Sequence, residues 1–224
     1  MARKATARTA ERQPLNRERV LRAAVELADG AGIEALSMRR LGQTLGVEAM
    51  SLYNHVASKE DLLDGLADLA IEEVEVPSED LDWREAMRGR AMSVREMLVR
   101  HPWASSVIES RTNPSPARSR YPEQVVSVLR RAGFSPQMAL HAFFTLDSYI
   151  YGFVVQEENM PSGTPEELAE MAGSVLSALP AHDYPYLHEI VADHVMKVGF
   201  SFADEFAFGL DLILDGLERA RDAA

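Results

Sequence analysis

The sequence has no cysteine. That removes both a disulfide framework and a thiolate metal site. Its opening stretch, MARKATARTAERQ, has no apolar region, so no secretory signal is expected and a cytoplasmic location is. No run approaches about 18 uninterrupted apolar residues, so no membrane span is expected. Nucleophile elbows and phosphate loops are missing as well. Fragments of other signatures break at a decisive position. Gly30, Gly32 and Ala35 fit a G-x-G-x-x-A spacing, but they follow a helical stretch and not a strand. His188-Glu189 begins an H-E-x-x-H zinc pattern, but Ala192 stands where the second histidine belongs. Glu157 and Glu158 are adjacent, so they point to different helix faces and form no close acid/base pair. These absences lead away from an enzyme, a metal and a cofactor.

What the chain does have is ordinary globular material. Its 224 residues are 46% hydrophobic and 26% charged, enough for a proper core in one or two domains. Apolar residues recur at helical spacing nearly throughout, no run reads as strand, and no segment repeats. The expected fold class is all-α. Net charge is −12, unevenly spread. Residues 1–60 hold 10 Lys and Arg against 7 Asp and Glu, while the remainder holds 13 against 28. A basic end on an acidic body would be oriented toward a polyanion, although an acidic surface also serves solubility alone.

Residues 1–13 carry Arg3, Lys4, Arg8 and Arg12 and read as a flexible arm, either lying along phosphates or a minor groove or serving as a solvated tail. Asn16 caps a first helix that Gly30 and Gly32 stop. Ser37 caps a second. Leu41 and Leu45 face one side, Gly42 permits a close crossing, and Gly46 suits a left-handed helix end. Val47 and Leu52 then pack back, leaving Met50, Ser51, Tyr53, Asn54 and His55 outside. This is a helix-turn-helix pattern. Ser58–Asp61 is similar to a capping box that starts a strut helix, ended by Pro77 and Ser78–Asp80. Asp82 begins the next helix, which ends at His101-Pro102, and a short helix follows from Trp103. Residues 109–122, with three prolines, read as loop. Ser135-Pro136 opens a long apolar helix. Thr164-Pro165 opens another, and a final helix runs from His188 or His194 to Arg221, with Phe200 on its apolar face and the acids from Asp204 to Asp222 in one stripe.

The stretch SMRRLGQTLGV, then SLYNHV and KEDLL, resembles the DNA-binding domain of the tetracycline-repressor (TetR) family, from about Leu15 to Ala70. The segments DWREAMRGRAMSVREMLVRHP, RRAGFSP and YGFVVQEE are similar in order to the tetracycline repressor's effector domain. The resemblance implies a DNA-binding domain at 14–60 and an effector-binding and dimerisation domain at 61–224. It implies a repressor that binds a palindromic operator as a homodimer and is released by a small lipophilic ligand. The competing class is a helical ligand carrier or adaptor without a DNA role.

By the resemblance, Arg39 matches a base- or backbone-contacting position, and Ala49, Met50, Ser51, Tyr53 and His55 fall on contact positions of the reading helix. Arg40 is placed to meet phosphate or a guanine edge, and Tyr53 and Lys59 serve as phosphate anchors. Tyr53 and His55 have packing against the first helix as their other reading. Met50, apolar, suits a thymine methyl. For the effector, His141, Thr145, Ser148 and Tyr149 on the long helix are expected to line an apolar pocket with Met97 and Trp103. The same polar stripe also reads as a helix–helix contact or the dimer seam. The tetracycline repressor has a histidine in the segment matching Trp103–Arg111 that helps bind its metal–drug complex. WASSVIESR has none, and Gln156 stands where that family member has an acid, which argues against magnesium–tetracycline.

Overall fold

The computed structural model describes residues 14–75, 81–159, 165–196 and 201–223, and every regular element among them is helical. In chain order these are α1 (Arg17–Ala31), α2 (Met38–Leu45), α3 (Ala49–Leu52), α4 (Lys59–Glu72), α5 (Trp83–Arg100), α6 (Ala104–Glu109), α7 (Pro116–Arg131), α8 (Pro136–Glu158), α9 (Pro165–Ala178), α10 (Pro185–Ile190) and α11 (Phe202–Asp222). The basic arm, the breakers Pro77 and Ser78–Asp80, Thr164 and Phe200 lie outside the described residues.

Side chains set most helix starts. Asn16, Ser37, Ser58, Asp82, Ser115 and Ser135 each accept a hydrogen bond from a first-turn backbone N–H. Such caps contribute about 0.5–2 kcal/mol each. The box at Ser58 closes differently from the Glu-bearing pattern. Ser58 Oγ accepts from the Asp61 N–H at 3.1 Å, but the Asp61 carboxylate takes the Ala57 N–H at 2.7 Å. Asp is one methylene shorter than Glu, and it meets the residue before the cap.

Three expected boundaries shift. Gly30 lies inside α1, and the stop is Gly32, whose φ of +78° leaves the helical region. Residues 109–122 are not all loop: α7 begins at Pro116 and carries Pro122 within it. Ser115 caps that helix and Arg118 fastens it to Asp64 and Asp68 on α4. These fixings outweigh the missing donor of Pro122. The single last helix is instead α10, a π-helical turn at Val191–Val195, and a separate α11.

Packing divides the molecule around α4, which touches α1 on one side and α6 and α7 on the other. Gly65 makes the first contact possible, because a Cβ there would run into the Leu21 side chain. Beyond α4, α5 packs on α7 and α8, and α8 packs on α11. The acid stripe of α11 grips α5: Asp211 pairs with Arg88, and Asp215 and Glu218 with Arg84. Tyr149 of α8 stacks on Phe206 of α11 with centroids 5.3 Å apart and donates its hydroxyl to the Phe206 carbonyl at 2.9 Å. α8 is long and apolar enough to cross a membrane, as the core helix of a bundle can also be. Here its buried face is packed into the bundle and carries Asp147, paired with Arg90.

Candidate DNA-reading surface and effector cavity

The first site is the small unit α1–α3 with the start of α4. Leu41 and Leu52 are fully buried between α2 and α3. A Cβ on Gly42 would stand 2.9 Å from the Val47 carbonyl, so only glycine allows this crossing. Gly46 adopts φ +67°, ψ +35° at the turn, where a side chain would be strained. With Leu52 turned inward, Met50 is 75% exposed and Tyr53 is exposed beside it. Ser51, Ala49 and His55 are half-buried, and Asn54 is exposed.

Arg39 and Arg40 are exposed on α2, and Lys59 is exposed at the first position of α4. None of these three side chains makes an ion pair or side-chain hydrogen bond among the described residues. The effector-side arginines contrast with this: Arg84, Arg88, Arg90, Arg95, Arg100, Arg111 and Arg118 all lie against carboxylates. Three open cations thus stand together beside α3.

A fixture that the sequence did not reveal holds this unit to α4. Arg17 donates to both Asp61 oxygens, at 2.7 and 2.8 Å, and to the His55 carbonyl at 3.3 Å. The guanidinium hydrogen bond, against a smaller cost of burial, holds the Asp61 carboxyl below the usual carboxylate range.

The second site is a cavity of about 280 Å³ among α4–α8. Ile71 and Val74 wall it from α4, and Val94 and Met97 from α5. Ile108 and Glu109 come from α6, with Arg111 just beyond. Arg118, Tyr121 and Pro122 of α7 and Phe143, Asp147 and Tyr151 of α8 complete it. A wider groove of about 440 Å³ between α1 and α2 is lined mostly by charged and polar groups such as Glu18, Arg19, Arg22 and Glu26, and suits a lipophilic molecule less well.

Of the six residues expected here, only Met97 lines the cavity. The long helix is in place but shows it the opposite face. Phe143, Asp147 and Tyr151 point in, whereas His141, Thr145 and Ser148 are exposed on the outer side. Tyr149 is taken up by α11. Trp103 is buried elsewhere, its Nε1 donating to Asp29 at 2.6 Å. An apolar helix covered on several sides gives no period that distinguishes pocket from seam.

Behind the cavity wall sits Arg90, 1% exposed. Its Nε donates to the Tyr121 hydroxyl at 2.7 Å, its Nη2 to Asp147, and its guanidinium lies over the Tyr121 and Phe143 rings. Burial opposes the Arg90 charge, but Tyr121 and Asp147 outweigh it and raise the guanidinium pKa. Burial pushes Tyr121 up to about 12, against the pull of Arg90, and raises Asp147 in the same way. The signal was present in the sequence, as an arginine four residues after Ala86 on the apolar face of α5. Gln156 is exposed, and Glu157 is held by Arg95 at 2.8 Å. No group of three or more His, Asp or Glu among the described residues is placed to hold a metal.

Two family models match the chain. One, described as bacterial regulatory proteins of the tetR family, covers residues 20–66, and the tetracyclin repressor-like C-terminal domain covers residues 76–221. The HTH-type transcriptional repressor DrrR1 of Streptomyces coeruleorubidus is 35% identical over 217 residues, 91% of this chain and 77% of that protein. The class C tetracycline repressor protein of Escherichia coli is 31% identical over 212 residues, 92% of each. The crystal structure of Streptomyces coelicolor ActR in complex with actinorhodin superposes with a TM-score of 0.75 at 28% identity, covering 93% of this chain and 99% of that one.

Proposed function

The chain belongs to the TetR family of bacterial transcription regulators, and we propose that it acts in the cytoplasm as a homodimer that grips a palindromic operator until a small lipophilic molecule releases it. It is a DNA-binding repressor regulated by a small-molecule effector and not an enzyme. Residues 14–60 read DNA, 61–224 bind the effector and form the dimer, and α4 is the strut between them. Arg39, Arg40, Ala49, Met50, Ser51, Tyr53, His55 and Lys59 form the DNA face. The observation that carries this is the cluster of cations beside the reading helix: Arg39, Arg40 and Lys59 stay open to solvent around α3, while seven arginines of the effector side lie against carboxylates. Open cations beside a protruding reading helix suit phosphate and base edges.

The dimer reading rests on α8 and α11. Leu140, Phe144 and Val155 on α8 and Phe208 and Leu212 on α11 are each more than half exposed. His141, Thr145 and Ser148 lie among them. A twofold copy laid on this surface makes a four-helix bundle and covers it. Two reading helices are then presented about 34 Å apart, one DNA turn. A ligand acts only if it prefers one of two spacings of those helices. The relatives point to the kind of effector: ActR was solved with actinorhodin, and the tetracycline repressor is named for its drug.

The deciding experiment uses the DNA flanking the protein's own gene. An inverted repeat bound by one dimer, with affinity falling as salt rises, is the expected result. A monomer with no affinity for any duplex in dilute buffer would overturn the reading.

A further inference from the structure

The charges around the cavity among α4–α8 do not cancel. Arg118 sends Nε to Asp68 at 2.9 Å and Nη2 to Asp64 at 3.1 Å, and its Nη1 is sealed from solvent, so it offers a ligand no free donor. Arg111 pairs with Glu60 through Nη1 and meets the Ser110 hydroxyl through Nε. Arg90, behind the wall, is met by Tyr121 and Asp147. Three guanidiniums thus stand against five carboxylates, those of Glu60, Asp64, Asp68, Glu109 and Asp147. The surplus falls on the lining itself. Glu109 makes no ion pair or hydrogen bond among the described residues. Asp147 gives one oxygen to Arg90, and its Oδ2 has no hydrogen-bond partner among the described residues and is not sealed from solvent.

Tyr151 feels both acids. Burial pushes its phenol up, and Asp147, Tyr121 and Glu109 add to this against a smaller pull from Arg90. The carboxylates, and not the guanidinium, therefore set the potential at that hydroxyl. The rings agree with this. The Arg90 guanidinium already lies 5.3 Å from the centroids of Tyr121 and Phe143. The Tyr151 ring has no ring or cation partner among the described residues, so its face is free for a second cation. An anion would enter beside two carboxylates, and a neutral molecule would leave them unmatched. A protonated amine matches them, because its N–H groups make charge-assisted bonds to carboxylate oxygens. Ile71, Val74, Val94 and Met97 supply hydrocarbon for the rest of such a molecule.

We propose that this cavity takes a lipophilic molecule carrying a protonated amine, its ammonium held by Asp147 and Glu109 against the Tyr151 ring. This rests on reading the cavity as the effector site, and it adds the charge of the effector and the side chains that select it. Glu109, exposed on α6, stands where the cavity meets solvent, and Asp147 lies deeper on α8.

Three probes with one ring system test this on the full-length protein: 1-naphthylmethylamine, protonated at neutral pH, 1-naphthalenemethanol and 1-naphthoate. Calorimetric titration is expected to rank the amine about tenfold above the alcohol, with the carboxylate weakest. Glu109→Gln is expected to cut that advantage about threefold and Glu109→Lys to erase most of it, with the melting temperature and the alcohol's affinity near wild type. Both changes fall on an exposed side chain, so the fold is not at stake. Ile108→Trp, which fills the cavity, is expected to abolish binding of amine and alcohol alike. Equal binding of amine and alcohol, or tightest binding of the carboxylate, would overturn the cation class and leave the cavity standing as a ligand site. An amine advantage untouched by Glu109→Lys, or amine binding that survives Ile108→Trp, would put the ammonium elsewhere on this acidic protein and overturn the assignment. Failure of all three probes to bind would overturn the proposal together with the effector reading of this cavity.

Discussion

The indole Nε1 of Trp103 donates to Oδ1 of Asp29 at 2.6 Å, joining the corner between α5 and α6 to the last turn of α1. The same oxygen lies 2.7 Å from Nδ1 of His101, whose Nε2 lies 3.2 Å from Glu73 at the end of α4. One carboxylate of the DNA-reading unit is thus held by two buried side chains of the effector side. Met97 and Ile108, which line the cavity, stand a few residues to either side of that corner. A shift of α6 around a ligand would reach α1 through this short polar link.

Asp29→Ala strands the Trp103 N–H and the His101 ring. It is expected to cost about 1–3 kcal/mol in chemical denaturation and to blunt the ligand-driven loss of operator affinity. Asp29→Asn, which keeps an acceptor, should recover most of both. Full stability and full ligand response in Asp29→Ala would show that the link transmits nothing.

At the DNA face, Arg39→Ala should weaken operator binding, with any base-specific part worth about 1–3 kcal/mol. Lys59→Ala should weaken all duplexes alike and lower the salt slope by about one. Binding titrations on operator and scrambled duplexes at several salt concentrations separate the two. Unchanged operator affinity of Arg39→Ala at physiological salt would refute its placement.

The Arg17–Asp61 fixture gives a pH dependence of known sign. Asp61 titrates below its ordinary value in the folded chain, chiefly through the Arg17 hydrogen bond. Its stabilisation is therefore present above the ordinary carboxylate range and lost as pH falls through it. Both groups are partly exposed, so roughly 0.5–1 kcal/mol is expected. Denaturation midpoints of Asp61→Asn should lie below wild type near neutrality and converge with it in acid. A constant gap at all pH values would exclude the ion pair as the cause.

Arg90→Met leaves Asp147 buried without its partner. The expected loss is about 3–5 kcal/mol, and the double variant Arg90→Met with Asp147→Leu should regain much of it. Calorimetric melting of the single and double variants reads this directly. A double variant no better than the single one would mean that the shape of Arg90, and not its charge, supports the core.

The exposed faces of α8 and α11 predict an oligomeric change. Phe144→Glu with Leu212→Glu should convert a dimer to monomer in sedimentation and lose operator binding with helix content retained. A dimer that survives both substitutions would place the twofold axis elsewhere.

Much of this protein was legible locally. Ser37, Gly42, Gly46 and Leu52 act through neighbours within about fifteen positions, so the helix-turn-helix could be read from residue type and spacing. The same holds for the caps at Asn16, Ser58, Asp82 and Ser135. Where the reading failed, a distant partner had decided. Pro116 and Pro122 spoke for a loop, but Ser115 and the grip of Asp64 and Asp68 on Arg118 made α7.

The sequence by itself determined the helical class, the reading unit and the family resemblance, because caps, turns and apolar periodicity act over one or two helical turns. The tertiary structure alone decided which face of α8 meets the cavity, that Trp103 serves the link to α1, and that Arg90 is buried beside Tyr121 and Asp147. Those outcomes depend on side chains about 30 to 75 positions apart. Helical spacing records that a face is covered, but not what covers it.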